Sequence, residues 1–141
     1  MWANPLVGTW RLVSVHTWRA DGQITYPFGR DVVGYLIYTE QGHLSLSIMA
    51  ANRPQIQSAD MTAGTVAEKA AAYDTYLAYA GTYRLYADRV VHNLECSLIP
   101  QWVGTEQVRF LKFEGNRLTL RTAPLMRDGV ETVSNLVWER I

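Results

Sequence analysis

An antiparallel all-β fold, closed as a sandwich or barrel with one helix beside it, is what this sequence predicts. Three observations carry the prediction. Apolar and polar residues alternate through most of the chain, the period of a strand with two unlike faces. Glycine-containing turn signals interrupt that alternation at short, regular intervals. Only one segment carries a helix start signal.

The elements follow in order. Leu6 to His16 reads as a strand, with Trp10, Leu12, Ser14 and His16 on one face and Thr9, Arg11, Val13 and Val15 on the other. Asp21-Gly22 and Pro27-Phe28-Gly29 are breaks. Gly34 to Tyr38 and His43 to Met49 form a hairpin through Glu40-Gln41-Gly42. Ala50 to Gly64 has no period and contains Pro54, so it reads as a long loop where a ligand entrance is to be sought. Thr65-Val66-Ala67-Glu68 matches a capping box, in which Thr65 accepts from the Glu68 amide and Glu68 reaches back. The Ala-rich helix that follows is expected to run to about Tyr79, with Tyr73, Tyr76 and Leu77 on one face, as a lid or plug at one barrel end. Gly81 to Tyr86 and Arg89 to Leu98 flank Ala87-Asp88. Thr105 to Phe113 and Arg117 to Thr122 flank Glu114-Gly115-Asn116, and Val130 to Arg140 follows Asp128-Gly129. About eight strands result, and eight strands closed on themselves leave an interior about wide enough for one small ligand.

Composition narrows the class. The 141 residues suit a single domain, 1–141, large enough to bury a core without metal or disulfide. Five Trp, eight Tyr and three Phe supply rings that suit a pocket wall. Thirteen basic and thirteen acidic residues balance and form no block, which argues against nucleic acid or an anionic membrane as partner. The single cysteine, Cys96, excludes an internal disulfide and reads as a buried, inert thiol. No leader is visible at Met1-Trp2-Ala3-Asn4-Pro5 and no apolar run is long enough to span a membrane, so a cytoplasmic location is expected. His16, His43, His92 and Cys96 lack metal-ligand spacing, and no Gly-x-Gly-x-x-Gly, P-loop or Gly-x-Ser-x-Gly motif occurs; neither metal nor cofactor is expected.

Gly8-Thr9-Trp10 opens the first strand and Trp138-Glu139-Arg140 ends the last. Together they resemble the lipocalin and calycin signature, which implies that Gly8, Trp10 and Arg140 close the barrel floor, guanidinium stacked on indole. Gly8 to Ser14, Gly34 to Tyr38, Gly42 to Ser45, Tyr79 to Tyr83 and Pro100 to Gln107 extend the resemblance over nearly the whole chain, to the lipocalin-like domain family of bacteria and fungi. The resemblance implies an antiparallel eight-stranded lipocalin-like (calycin) barrel with one helix capping or flanking it. It carries over no catalytic residues.

Candidate site residues come from face and chemistry. His43 and Ser45 share one face of their strand with Ser47, opposite Leu44, Leu46 and Ile48; either set can point inward. His92 lies in an apolar stripe with Val90, Leu94, Cys96 and Leu98, and is either a hydrogen-bonded core residue or the best general base here. Arg109 and Arg121 each alternate with bulky apolar neighbours; each is either solvated outside or turned inward for a ligand carboxylate. Trp102, on a Pro100–Glu106 loop, suits a cavity mouth. Tyr35, Tyr38 and Tyr83 each pair a ring with one hydroxyl, as fits a mixed ligand or an ordinary core. The candidate catalytic groups are His92, His43 and Tyr83.

Three functions are compatible with these residues. The first is a binding protein holding a lipid, terpenoid or polyketide-like molecule inside the barrel. The second is a cofactor-independent isomerase or cyclase acting on a hydrophobic natural-product intermediate. The third is an interaction role with a filled barrel. Homodimerisation through an outer face is compatible with all three.

Overall fold

The computed structural model describes residues 3–141. Its single sheet has ten strands in the order β2-β1-β3-β4-β5-β6-β7-β8-β10-β9, and pairing of β1 with β10 closes the eight long ones into an antiparallel barrel. The barrel strands are β1 (Gly8–Arg19), β3 (Val32–Tyr38), β4 (His43–Ala50), β5 (Tyr76–Leu85), β6 (Arg89–Ser97), β7 (Glu106–Glu114), β8 (Arg117–Thr122) and β10 (Val130–Arg140). Short strands β2 (Ile24–Thr25) and β9 (Leu125–Arg127), unforeseen from the sequence, extend the sheet beside β1 and β10. No helix among the described residues is long and apolar enough to cross a membrane.

Two β-bulges set which side chains face inward. In β1 the register slips between Leu12 and Ser14, so Val13 is an extra residue. Trp10 and Leu12 face inward before the bulge, and Val15 and Thr17 after it. His16 and Trp18 are thereby turned to the outer face, which corrects the expectation that Ser14 and His16 follow Trp10 and Leu12. In β6 the slip opposite Ala80 and Gly81 makes Glu95 the extra residue. Val90, His92 and Leu94 stay inside, whereas Cys96 emerges exposed on the outer surface instead of in the core. Gly81 is required there, because a Cβ would run into the Asn93 carbonyl of the bulged strand.

The helix α1 (Val66–Asp74) starts as expected: Thr65 Oγ1 accepts from the Glu68 amide at 3.1 Å and Glu68 accepts from the Thr65 amide at 2.9 Å. It ends earlier. Tyr76 pairs with Met49 and Tyr79 with Leu46, so strand pairing overrides the helical propensity of the Ala-rich run. None of its residues is buried and Tyr73 is exposed, so α1 flanks the barrel and does not plug it.

The barrel has unlike ends. The tight hairpins around residues 39–42, 86–88 and 114–117 lie at one end together with the start of β1 and the end of β10. There Leu6, Trp10, Tyr38, Leu44, Val90, Leu118 and Trp138 pack to near-complete burial. The long connections, 51–65 and 98–105 among them, lie at the other end.

Candidate functional site

At the closed end the Arg140 guanidinium carbon sits 4.2 Å from the Trp10 ring centroid. Arg140 donates to the Val7 carbonyl at 2.8 Å and to the Pro5 carbonyl, and Trp10 Nε1 donates to the Leu6 carbonyl at 2.9 Å. Gly8 has φ +133°, and a Cβ there would lie 2.6 Å from Arg140 Nη1. The glycine, the indole and the guanidinium therefore need one another: only glycine leaves room for the arginine that covers the tryptophan.

The barrel's middle holds a buried polar chain. Tyr38 Oη lies 2.5 Å from His92 Nε2, and Tyr79 Oη lies 2.8 Å from His92 Nδ1. A neutral imidazole has one donor and one acceptor nitrogen, so one tyrosine accepts from the ring and the other donates to it. Burial, with the nearby Arg109 charge adding to it, pushes the His92 pKa down from 6.5 to about 3. Burial also pushes Tyr79 above its ordinary value; the nearby Arg109 charge pulls the other way. Tyr38, buried beside Tyr79, is pushed well up. The chain is thus neutral near pH 7, as a polar cluster in an apolar interior must be.

Arg109 stands at the edge of this chain. It pairs in register with fully buried Val90 and with Thr122, so its side chain shares their inward face. Nη1 donates to the neighbouring Val108 carbonyl at 2.9 Å. The ion pairs among the described residues are Arg19–Asp21, Arg89–Asp88 and Lys112–Glu114, all at the surface. Arg109 is therefore an inward, half-buried cation without a carboxylate. Phe28, Val32, Leu77, Leu85, Trp102, Leu111 and Leu136 pack against the core yet stay only partly buried. Trp102 lies on a short 3-10 turn, Pro100–Trp102, edge-on to Tyr79 with centroids 6.3 Å apart.

The sequence-derived candidates divide by face. Tyr38 packs at the closed end and reaches His92 through its hydroxyl, while His92, Arg109 and Trp102 gather around Tyr79. Tyr83 is inside but at the closed end: its hydroxyl donates to the Thr39 carbonyl at 2.7 Å, accepts from Asn4 Nδ2 at 2.9 Å, and braces the β3–β4 hairpin. Tyr35, His43 and Ser45 are exposed on the outer face, Tyr35 at 46%, because Leu36, Leu44, Leu46 and Ile48 take the inward positions. Arg121 is outside as well, opposite Asn135 and 6.0 Å from the Phe110 ring. These four residues do not contribute to the interior, and His43 has no part in an interior proton transfer. Tyr79, Leu111 and Leu136 were not among the candidates. The in-phase run Tyr79-x-Gly81-x-Tyr83 was the available signal for Tyr79, masked by the helix expectation. Among the described residues no three His, Cys, Asp or Glu converge as a metal site.

A profile of the lipocalin-like domain family matches residues 7–141. The 4'-hydroxy-3'-methoxypropiophenone carrier protein of Aspergillus oryzae is 34% identical over 107 residues, covering 70% of this chain and 96% of that protein. No solved structure matches.

Proposed function

We propose that this chain, which belongs to the lipocalin-like domain family, is a carrier for a small, flat, mostly apolar molecule bearing a carbonyl or acidic oxygen. Aryl ketones and related polyketide-type products are the favoured class. One observation carries the reading: Arg109 turns a cation without a carboxylate into a half-buried apolar setting beside the Tyr79 hydroxyl. Such a charge favours a ligand oxygen, since hydrogen bonds to charged groups contribute about 1.5–3 kcal/mol. Trp102, Leu111 and Leu136 supply apolar wall for the ring. The name of the Aspergillus relative, a carrier of an aryl ketone, supports the same class.

A base-catalysed isomerase or cyclase would need a free base. Tyr38 and Tyr79 occupy both ring nitrogens of His92, and its pKa near 3 leaves it a weak acceptor, so the carrier reading is preferred.

Titration with 4'-hydroxy-3'-methoxypropiophenone, followed by tryptophan fluorescence and native mass spectrometry, tests the proposal. Saturable one-to-one binding is expected, weakened about tenfold or more in Arg109→Gln. Absence of binding to this ketone and to a panel of aryl ketones and aromatic acids would overturn it.

A further inference from the structure

We propose that the outer face of the barrel carries a second site, for a small aromatic carboxylate. A cleft of about 380 Å³ crosses β1, β10, β8 and β7 there, near the small end of the roughly 300–1,000 Å³ range of ligand pockets. Its shape follows from side-chain size. Thr119, Asn135 and Val137 are short and form the floor, whereas His16 and Trp18 on β1 and Phe110 on β7 stand up as walls. The β1 bulge creates one wall, because without the extra residue Val13 the His16 and Trp18 side chains would point into the barrel. The His16 and Trp18 rings lie 5.9 Å apart, spaced to contact one flat ligand edge.

The second observation is Asn135. It is 4% exposed, although it belongs to an outer face, and its Nδ2 has no hydrogen-bond partner among the described residues. A buried donor left unmade costs about 1–3 kcal/mol, and an acceptor oxygen on a ligand would recover it. The charge at the cleft has the matching sign. Arg121 is exposed beside Phe110 and joins no ion pair among the described residues, whereas the rim's Lys112 is paired with Glu114 at 3.4 Å. The free donors are therefore cationic and amide, the walls are aromatic, and the volume suits one ring. A benzoate- or cinnamate-type anion meets all three conditions, with its carboxylate toward Arg121 and Asn135 and its ring between Trp18 and Phe110.

The test titrates 4-hydroxycinnamate and its uncharged amide, with the barrel already saturated by the aryl ketone if that ligand binds. The expected result is a second equivalent of carboxylate bound, with the amide at least tenfold weaker. Arg121→Gln and Asn135→Leu each weaken the acid at least fivefold, Trp18→Leu removes the fluorescence change, and Arg109→Gln leaves the affinity unchanged. Arg121 and Trp18 are exposed, so those two variants keep the fold even if Asn135→Leu does not. Failure of the acid to bind, or binding lost in Arg109→Gln and kept in Arg121→Gln, overturns the outer site. A barrel that binds no ketone leaves this test intact.

Discussion

The two ends of the barrel are built from the same alternating strands, yet one is a finished core and the other is not. At the closed end Trp10 and Trp138 are at most 1% exposed and Arg140 seals the floor with two carbonyl contacts and a ring face. Away from that floor Leu77, Trp102 and Arg109 stay only partly buried. The difference teaches where the fold draws its stability: the closed end is sealed by packing and by Arg140, whereas the other end is less completely covered and is where the proposed ligand would sit.

The largest expected effect breaks the closed end. Trp10→Ala removes a side chain that both fills the floor and receives Arg140, and should cost about 3–5 kcal/mol, read as a lowered urea midpoint. The next change sharpens the contrast with one chemistry at both ends. Leu118→Ala, at a fully buried position, should cost about 2–5 kcal/mol. Leu77→Ala, near the open end, should cost less than that, because only part of its surface leaves water. Equal losses of stability from the two would show that the open end is as closed as the floor.

Between the ends lies His92, and pH reaches it. Its pKa in the folded chain, about 3, is below its ordinary 6.5, so the unfolded chain takes up the proton first as pH falls. The His92 contribution is therefore complete above pH 6.5 and is lost on the way down toward pH 3, at about 1.4 kcal/mol per pH unit within that window. Unfolding free energies from urea melts taken from pH 7 to pH 4 should fall at least this steeply, and His92→Gln should flatten the fall. A slope unchanged in His92→Gln would assign the acid sensitivity to other groups.

The same contrast explains what the sequence discloses. Strands, hairpins and the floor were legible because the closed end follows strict rules: period-two alternation, glycine turns, and a Gly8–Trp10–Arg140 set whose chemistry admits one arrangement. The open half was legible only in part. Bulges at Val13 and Glu95 invert the faces of His16 and Cys96, and a bulge leaves no mark in hydrophobic alternation. Arg109 and Arg121 have equally apolar neighbours, so only register tells that the first shares a face with Val90 and the second with Asn135. Tyr79 was hidden because an Ala-rich run favours helix locally, and only pairing with β4 makes it a strand.

The smallest effect concerns the segment leading into the open end. Thr65 caps α1, and Glu68 accepts both from the Thr65 amide and from the Gln57 amide at 3.1 Å, tying the 51–65 connection to the helix. Thr65→Ala should cost about 1 kcal/mol of helix stability. Because α1 buries no residue, that loss should stay local: amide exchange should quicken across 57–74 while the Leu118 and Trp138 amides are unchanged. A carrier whose ligand passes this segment should also exchange its aryl ketone faster in Thr65→Ala, at nearly constant affinity, since the change alters the passage and leaves the Arg109 contact in place. Unchanged exchange kinetics would move the entrance away from 51–65, toward the turn that holds Trp102.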